Sequence, residues 1–311
     1  EGRSIGRIVR DAGAVERYVE HVVSAAEGTL GGLRVVVDCA NGGAFHLAPA
    51  ALARLGADVT AVSAEPDGWN INDGCGATHP EVVGRAVVQV GADAGVAHDG
   101  DADRALFSDH LGRVVDGDPV LAALAADLHE HGELRGGLVV TTAMANLGFR
   151  RRMEEAGITT LETKVGDRYV LEEMLRSGAV LGGEQSGHVI FLRHATTGDG
   201  LLTAVQFLTL AARTGVTVAD LAAGMTRYPQ VLQNVPVADP GAVEGAEAVW
   251  RAVRAAEESL GRHGRVLVRP SGTEPVVRVM VEAETQEEAE AQAAAISEAV
   301  SEALGPARTG S

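Results

Sequence analysis

Short apolar runs, each ending in a glycine- or aspartate-bearing loop and each followed by a helical stretch, constrain this chain more than any other feature. Leu33-Arg34-Val35-Val36-Val37-Asp38 is a β-branched run that stops at Asn41-Gly42-Gly43, the pattern of a buried strand entering a loop. A helix is predicted over 44–55 and stopped by Gly56, then a strand over 58–63, a helix over 80–90 and a strand over 92–97. The chain leaves the next loop as a further strand over 105–108. The rhythm continues with helices at 119–129, 147–156 and 169–176, strands at 138–142, 159–163 and 179–181, and a long apolar helix over 199–213. Strand–helix alternation at this spacing implies mostly parallel sheets covered on both faces.

The last third reads differently. Strands over 231–237, 265–268 and 276–282 and helices over 243–260 and 286–304, the latter capped by Thr285, describe a small antiparallel sheet with helices on one side. The expected organisation is therefore two α/β/α sandwich units followed by a smaller α+β domain, with boundaries at 1–112, 113–227 and 228–311. The last seven residues read as a frayed tail.

Composition narrows the function classes. A net charge of −17 over 311 residues, with no basic run, argues against nucleic acid or a membrane surface as partner. No uninterrupted apolar stretch reaches about 18 residues, and no signal peptide opens the chain. Two cysteines, Cys39 and Cys75, make no disulfide framework, which fits a reducing cytoplasm. Lys164 is the only lysine, and its compact ammonium is chemically distinct from the surrounding arginines. The chain opens at Glu1 and not at methionine, as a processed or excised piece would.

Four loops could carry chemistry. Asp99-Gly100-Asp101-Ala102-Asp103-Arg104 places three carboxylates on alternate residues, which share one face of an extended backbone. Carboxylates ~4 Å apart repel by roughly 4 kcal/mol per pair at an effective dielectric of 20, so a cation belongs among them. An EF-hand would need Gly and Glu where Arg104 and His110 stand, which leaves a magnesium-like site or a solvated acidic turn. Gly182-Gly183-Glu184-Gln185-Ser186-Gly187-His188 offers Glu184, Ser186 and His188 to sugar hydroxyls, or is an ordinary glycine turn with a satisfied histidine. Arg269-Pro270-Ser271-Gly272-Thr273-Glu274-Pro275 with Arg278 is suited to a phosphate, through hydroxyls, amides and two guanidinium groups; a hairpin with two surface arginines is the bland reading. Thr163-Lys164-Val165-Gly166-Asp167-Arg168 sits at a strand end, where α/β sheets present ligands. Asp38–Gly43 reads as structural turn chemistry, Asn70–Gly76 stays undecided, and His79 and His98 read as satisfied local histidines.

The first three of these loops, in their order and spacing, resemble the α-D-phosphohexomutase superfamily, where they are the metal, sugar and phosphate loops of successive domains. Gln185, the run Lys164-Val165-Gly166-Asp167-Arg168-Tyr169-Val170, and Ile71-Asn72 near Cys75-Gly76-Ala77-Thr78-His79 are most similar to the glucosamine-phosphate branch; the phosphomannomutase/phosphoglucomutase branch commonly differs at Gln185. The resemblance covers domains two to four. The family's first domain carries a serine that is phosphorylated in the active enzyme, and no serine here lies in a matching context.

The resemblance implies Mg²⁺ held by Asp99, Asp101 and Asp103, a hexose phosphate as substrate, and a monomer or homodimer. Arg104, Lys164 and His188 are its implied catalytic group. Glu184, Ser186, Arg168, Arg269, Ser271, Gly272, Thr273 and Arg278 would bind substrate. The implied reaction interconverts glucosamine 6-phosphate and glucosamine 1-phosphate through a bisphosphorylated sugar, a step toward UDP-N-acetylglucosamine and cell-wall precursors. Without the serine, this chain alone is expected to be inactive; the alternatives are a phosphomannomutase/phosphoglucomutase or a non-catalytic sugar-phosphate-binding protein.

Overall fold

The computed structural model describes Gly6, residues 10–272 and residues 274–305. The expected tail and Thr273 therefore lie outside, or almost wholly outside, the described residues. Contacts group the described residues into two compact units. The first runs to Ala145 and resumes at Arg152–Met225; the second holds Asn146–Arg151 and everything from Thr226 onward. No described helix is long and apolar enough to cross a membrane.

The first unit opens with α1 (Ala14–Ser24), β1 (Arg34–Asp38), α2 (Ala44–Arg54), β2 (Asp58–Val62), α3 (Glu81–Val90), β3 (Ala94–His98), β4 (Ala105–Asp109) and β5 (Val114–Val115). The five strands lie in the order β2-β1-β3-β4-β5. β1 is parallel to both β2 and β3, whereas β4 and β5 are antiparallel additions. The reason is length: a parallel return needs a crossover of about a dozen residues, and only residues 99–104 separate β3 from β4. The sheet is thus less parallel than the alternation suggested, and its reversal falls at the acidic loop. β3 and β4 are buried along their whole length, as strands covered on both faces must be.

The unit continues with α4 (Gly117–Glu130), β6 (Leu138–Thr142), α5 (Leu147–Glu155), β7 (Thr159–Thr163), α6 (Asp167–Ser177), β8 (Leu181–Gly183), β9 (Val189–Phe191), α7 (Gly200–Thr214) and α8 (Val218–Ala223); the start of α5 counts with the second unit. The sheet order is β7-β6-β8-β9, again parallel until a short loop, here 184–188, forces β9 back antiparallel. Helix α4 begins at Gly117, earlier than the sequence suggested, because Asp116 caps it by accepting from the Asp118 N–H at 3.2 Å. Asp199 caps α7 in the same way, accepting from Leu202 N at 2.9 Å. Burial raises the pKa of the Tyr18 hydroxyl, reinforced by Asp199, to which it donates at 2.9 Å.

The second unit comprises β10 (Gln230–Pro236), α9 (Glu247–Leu260), β11 (Arg265–Pro270), β12 (Val276–Glu282) and α10 (Gln286–Leu304), with sheet order β10-β12-β11, all antiparallel. Thr285 caps α10 through Glu288 N at 3.2 Å. Val249, Val253, Ala256 and Leu260 of α9 and Ala289, Ala293, Ile296 and Val300 of α10 repeat at helical spacing and form one core with Val277, Val279 and Val281 of β12.

At the edge of that core the wholly buried Glu282 carboxylate collects four donors. Asn146 Nδ2 (3.1 Å) and Gln230 Nε2 (2.9 Å) donate to Oε1; Leu147 N (3.0 Å) and Arg265 Nε (2.9 Å) donate to Oε2. A buried charge persists only when its lone pairs are met in this way. Glu282→Ala would remove the acceptor shared by these four donors, among them the Arg265 guanidinium, which is 12% exposed, and should cost the second unit about 3–5 kcal/mol, read as a lowered urea midpoint. A loss below about 1 kcal/mol, the scale of an exposed pair, would show that the network does not hold this unit together.

Candidate functional site

The Asp99–Arg104 loop leaves the carboxyl end of β3, yet it does not run extended. Ala102 takes φ +62° and donates its N–H to Asp99 O at 3.0 Å, so the loop curls. The carboxylates converge through that curl: one oxygen each of Asp99, Asp101 and Asp103 lie within 4.8 Å of one another. Asp99 is wholly buried, Asp103 is half-buried and Asp101 is exposed.

Arg104 is committed to these acids. Its Nε donates to Asp99 Oδ2 at 2.6 Å and its backbone N–H donates to Oδ1 at 3.2 Å, while Asp103 Oδ1 lies 3.5 Å from Nε. Desolvation, then the neighbouring Asp99 charge, raises the pKa of the Asp103 carboxyl. Its Oδ1 is buried with no hydrogen-bond partner. A hard divalent cation fits this oxygen donor set: it would supply the missing partner and offset the repulsion.

The glycine-rich loop packs directly against the acidic one. Ala105 N donates to Gly187 O at 3.1 Å, and Arg104 and His188 form a one-residue antiparallel bridge. His188 is thereby buried, with Nε2 3.6 Å from Asp103 Oδ2 and neither ring nitrogen hydrogen-bonded. Glu184 closes the turn by accepting from Gly187 N at 3.0 Å, which Gly187 permits at φ +90°. Its side chain reaches sideways, Oε1 accepting from Gly166 N at 3.0 Å. That bond ties the sugar-type loop to the Lys164 loop at the end of β7. Lys164 is exposed, Arg168 lies at the surface on Glu172 at 2.7 Å, and Ser186 is exposed at the turn's tip.

In the second unit, Arg269 and Arg278 are direct cross-strand partners on β11 and β12. Burial, and then the charge of Arg278, lower the pKa of Arg269. Arg278 Nη2 pairs with Glu274 Oε2 at 2.9 Å and its Nε is buried without a partner. Ser271 Oγ accepts from Glu274 N at 3.3 Å, and a Cβ on Gly272 would meet only open space.

Several of these side chains already have partners. Asp99 and Asp103 hold Arg104. Arg168 is turned onto Glu172 by ordinary i, i+4 helix pairing. His98 is only half satisfied: Nδ1 donates to Arg104 O at 3.1 Å and Nε2 has no partner, and burial lowers its pKa. Motif reading passed over Gly117 and Gly200, which bear directly on the acidic and sugar-type loops. Their only signal was glycine at a helix start, too common to single out.

Three domain models of one family match in order: phosphoglucomutase/phosphomannomutase alpha/beta/alpha domain II over 16–112, alpha/beta/alpha domain III over 116–228, and the C-terminal domain over 232–299. The chain belongs to the phosphoglucomutase/phosphomannomutase family. Among its relatives, the phosphoglucosamine mutase of Thermobifida fusca is 54% identical over 286 residues, which are 92% of this chain and 64% of that protein. The phosphoglucosamine mutase of Frankia alni is 56% identical over 284 residues, 91% of this chain and 62% of its own length. The chain thus spans less than two thirds of the relatives it matches.

Solved structures agree on the fold. A phosphoglucomutase/phosphomannomutase family protein from Burkholderia thailandensis superposes with a TM-score of 0.79 at 24% identity, over 93% of this chain and 64% of that one. Aspergillus fumigatus N-acetylphosphoglucosamine mutase, in complex with GlcNAc-6P and magnesium, gives 0.74 at 22% identity, over 91% and 69%.

Gly117 tests how tightly the sugar-type loop is seated. Its N–H donates to Gln185 O at 2.9 Å, and a Cβ there would overlap Glu184 O and stand 2.8 Å from Gly187 N. Gly117→Ala should destabilise the first unit by about 1–3 kcal/mol and speed amide exchange across 184–188. Unchanged exchange would mean that the loop adapts freely to its support.

Proposed function

We propose that this chain supplies the metal-, sugar- and phosphate-binding domains, 1–112, 113–227 and 228–311, of a phosphoglucosamine mutase. The observation that carries the reading is the pairing of the acidic loop with the Glu184–His188 loop: three carboxylates able to hold a cation stand beside a glycine-rich turn whose Glu184 and Ser186 suit sugar hydroxyls. Identities above 50% to phosphoglucosamine mutases, over more than nine tenths of the chain, support the same substrate class.

The geometry supports the following roles. Asp99, Asp101 and Asp103 would hold Mg²⁺, which when bound neutralises charge on the phosphoryl group in flight. Arg104, locked on Asp99, fixes the position of that carboxylate. Glu184 and Ser186 accept and donate to sugar hydroxyls. Buried His188, with neither ring nitrogen hydrogen-bonded and Nε2 3.6 Å from Asp103 Oδ2, would hold or move a proton beside Asp103. Arg269 and Arg278, with Ser271, Gly272 and Thr273, hold the phosphate that is not being transferred. Lys164 and Arg168 are surface cations that would close on the substrate.

The serine nucleophile of such a mutase has no counterpart in these residues, so catalysis would require a serine-bearing domain. The purified chain should therefore give no conversion of glucosamine 6-phosphate to glucosamine 1-phosphate, and turnover should appear when such a domain is joined at its start. Turnover by the chain alone, followed by phosphorus NMR, would overturn this assignment. Arg278→Ala should weaken binding of glucosamine 6-phosphate by roughly 1.5–3 kcal/mol, the worth of a charged hydrogen bond. Calorimetry that finds unchanged affinity would remove Arg278 from the phosphate site.

A further inference from the structure

Asp38 ends β1 and is wholly buried, yet none of the roles above uses it. Its carboxylate joins two loops that are far apart in sequence. Oδ1 accepts from Ala40 N at 3.0 Å and Oδ2 accepts from Gly76 N at 2.9 Å. Both loops bear on Gly100 in the acidic loop. Gly43 N donates to Gly100 O at 2.8 Å, and a Cβ on Gly42 would stand 2.7 Å from Gly100 Cα. From the other side, a Cβ on Gly100 would stand 2.7 Å from Asn72 Nδ2 and 2.7 Å from Ile71 Cδ1. Asn72 N in turn donates to Ala40 O at 2.9 Å, which closes the circuit.

The supporting loops are strained. Ala40, Asn41 and Asn72 adopt φ of +53°, +48° and +58°, a region that costs non-glycine residues of order 1 kcal/mol or more each. Such residues stay there only where surrounding bonds over-determine them: Asp38 takes the Ala40 N–H, Ser63 O takes that of Asn41 at 2.6 Å, and Ala40 O takes that of Asn72. A carboxamide has a single acceptor oxygen, so it can keep only one of the two loops. Satisfying both amides requires the acid.

We propose that Asp38 is a positioning residue that sets the backbone of the Asp99–Arg104 loop, through Gly42, Gly43 and Asn72, before any ligand arrives. Its consequence for metal affinity rests on the cation site proposed above; its effect on the loop backbone does not.

Two measurements on the whole chain separate these. Native-state hydrogen exchange in Asp38→Asn should speed the Gly43 and Ala102 amides by about tenfold, the loss of one hydrogen bond, and leave β6 and α7 protected. Manganese titration followed by electron paramagnetic resonance should show affinity reduced by about tenfold or more, as for other partners that orient ligands. Should Asp38→Asn not fold, Gly42→Ala, which pushes on Gly100 directly, should give the same local exchange signature. Unchanged exchange in a folded variant, or a uniform rise across the first unit, would overturn the positioning role. Local exchange without manganese binding by either protein would leave Asp38 in place and overturn the cation site.

Discussion

Repulsion among the Asp99, Asp101 and Asp103 carboxylates is the constraint on which the first unit depends. Acid oxygens within 4.8 Å of one another come apart unless the backbone beneath them is pinned. Pinning comes from below through Gly42, Gly43 and Asn72, and from the side through the Gly187 carbonyl and the helix start at Gly200, whose N–H donates to Ala102 O at 3.0 Å. Arg104 supplies a covalently attached cation, and its carbonyl is held by His98. The glycines follow from this: a side chain at Gly42, Gly100 or Gly200 would collide with a neighbouring backbone or side chain.

Both α/β sheets reverse direction at the loop that matters. β3 turns into β4 across the acidic loop, and β8 turns into β9 across the Glu184–His188 turn. Each reversal is too short for a helical crossover, and each places its polar residues at the carboxyl ends of parallel strands, where α/β sheets gather ligands. The two reversals then meet edge to edge at Arg104 and His188.

Much of this was legible in the chain. Runs such as Arg34–Asp38 and Leu138–Thr142 announce buried strands, and the Thr285 cap announces α10, because propensity and pattern are local properties. The three polar loops stood out by composition. Strand direction at β4 and β9 was less visible, since alternation suggests parallel pairing until loop length is weighed. Partner choice was not visible at all. Arg104 turns inward to Asp99 and Arg168 turns outward to Glu172, although both stood in loops singled out for chemistry.

By itself, the sequence determined the α/β class, the succession of elements, the residues rich in chemistry and the absence of a matching nucleophilic serine. These depend on spacing and residue type within a few positions. Tertiary structure alone decided that Asp38 braces Gly100 through two distant loops and that His188 lies buried against Asp103. It likewise made Gly117 and Gly200 the seats on which the site loops rest. Those facts rest on backbones that approach within hydrogen-bond distance across tens of residues, and no local pattern encodes such proximity. The acidic motif thus names its ligands, while the fold around it sets where they stand.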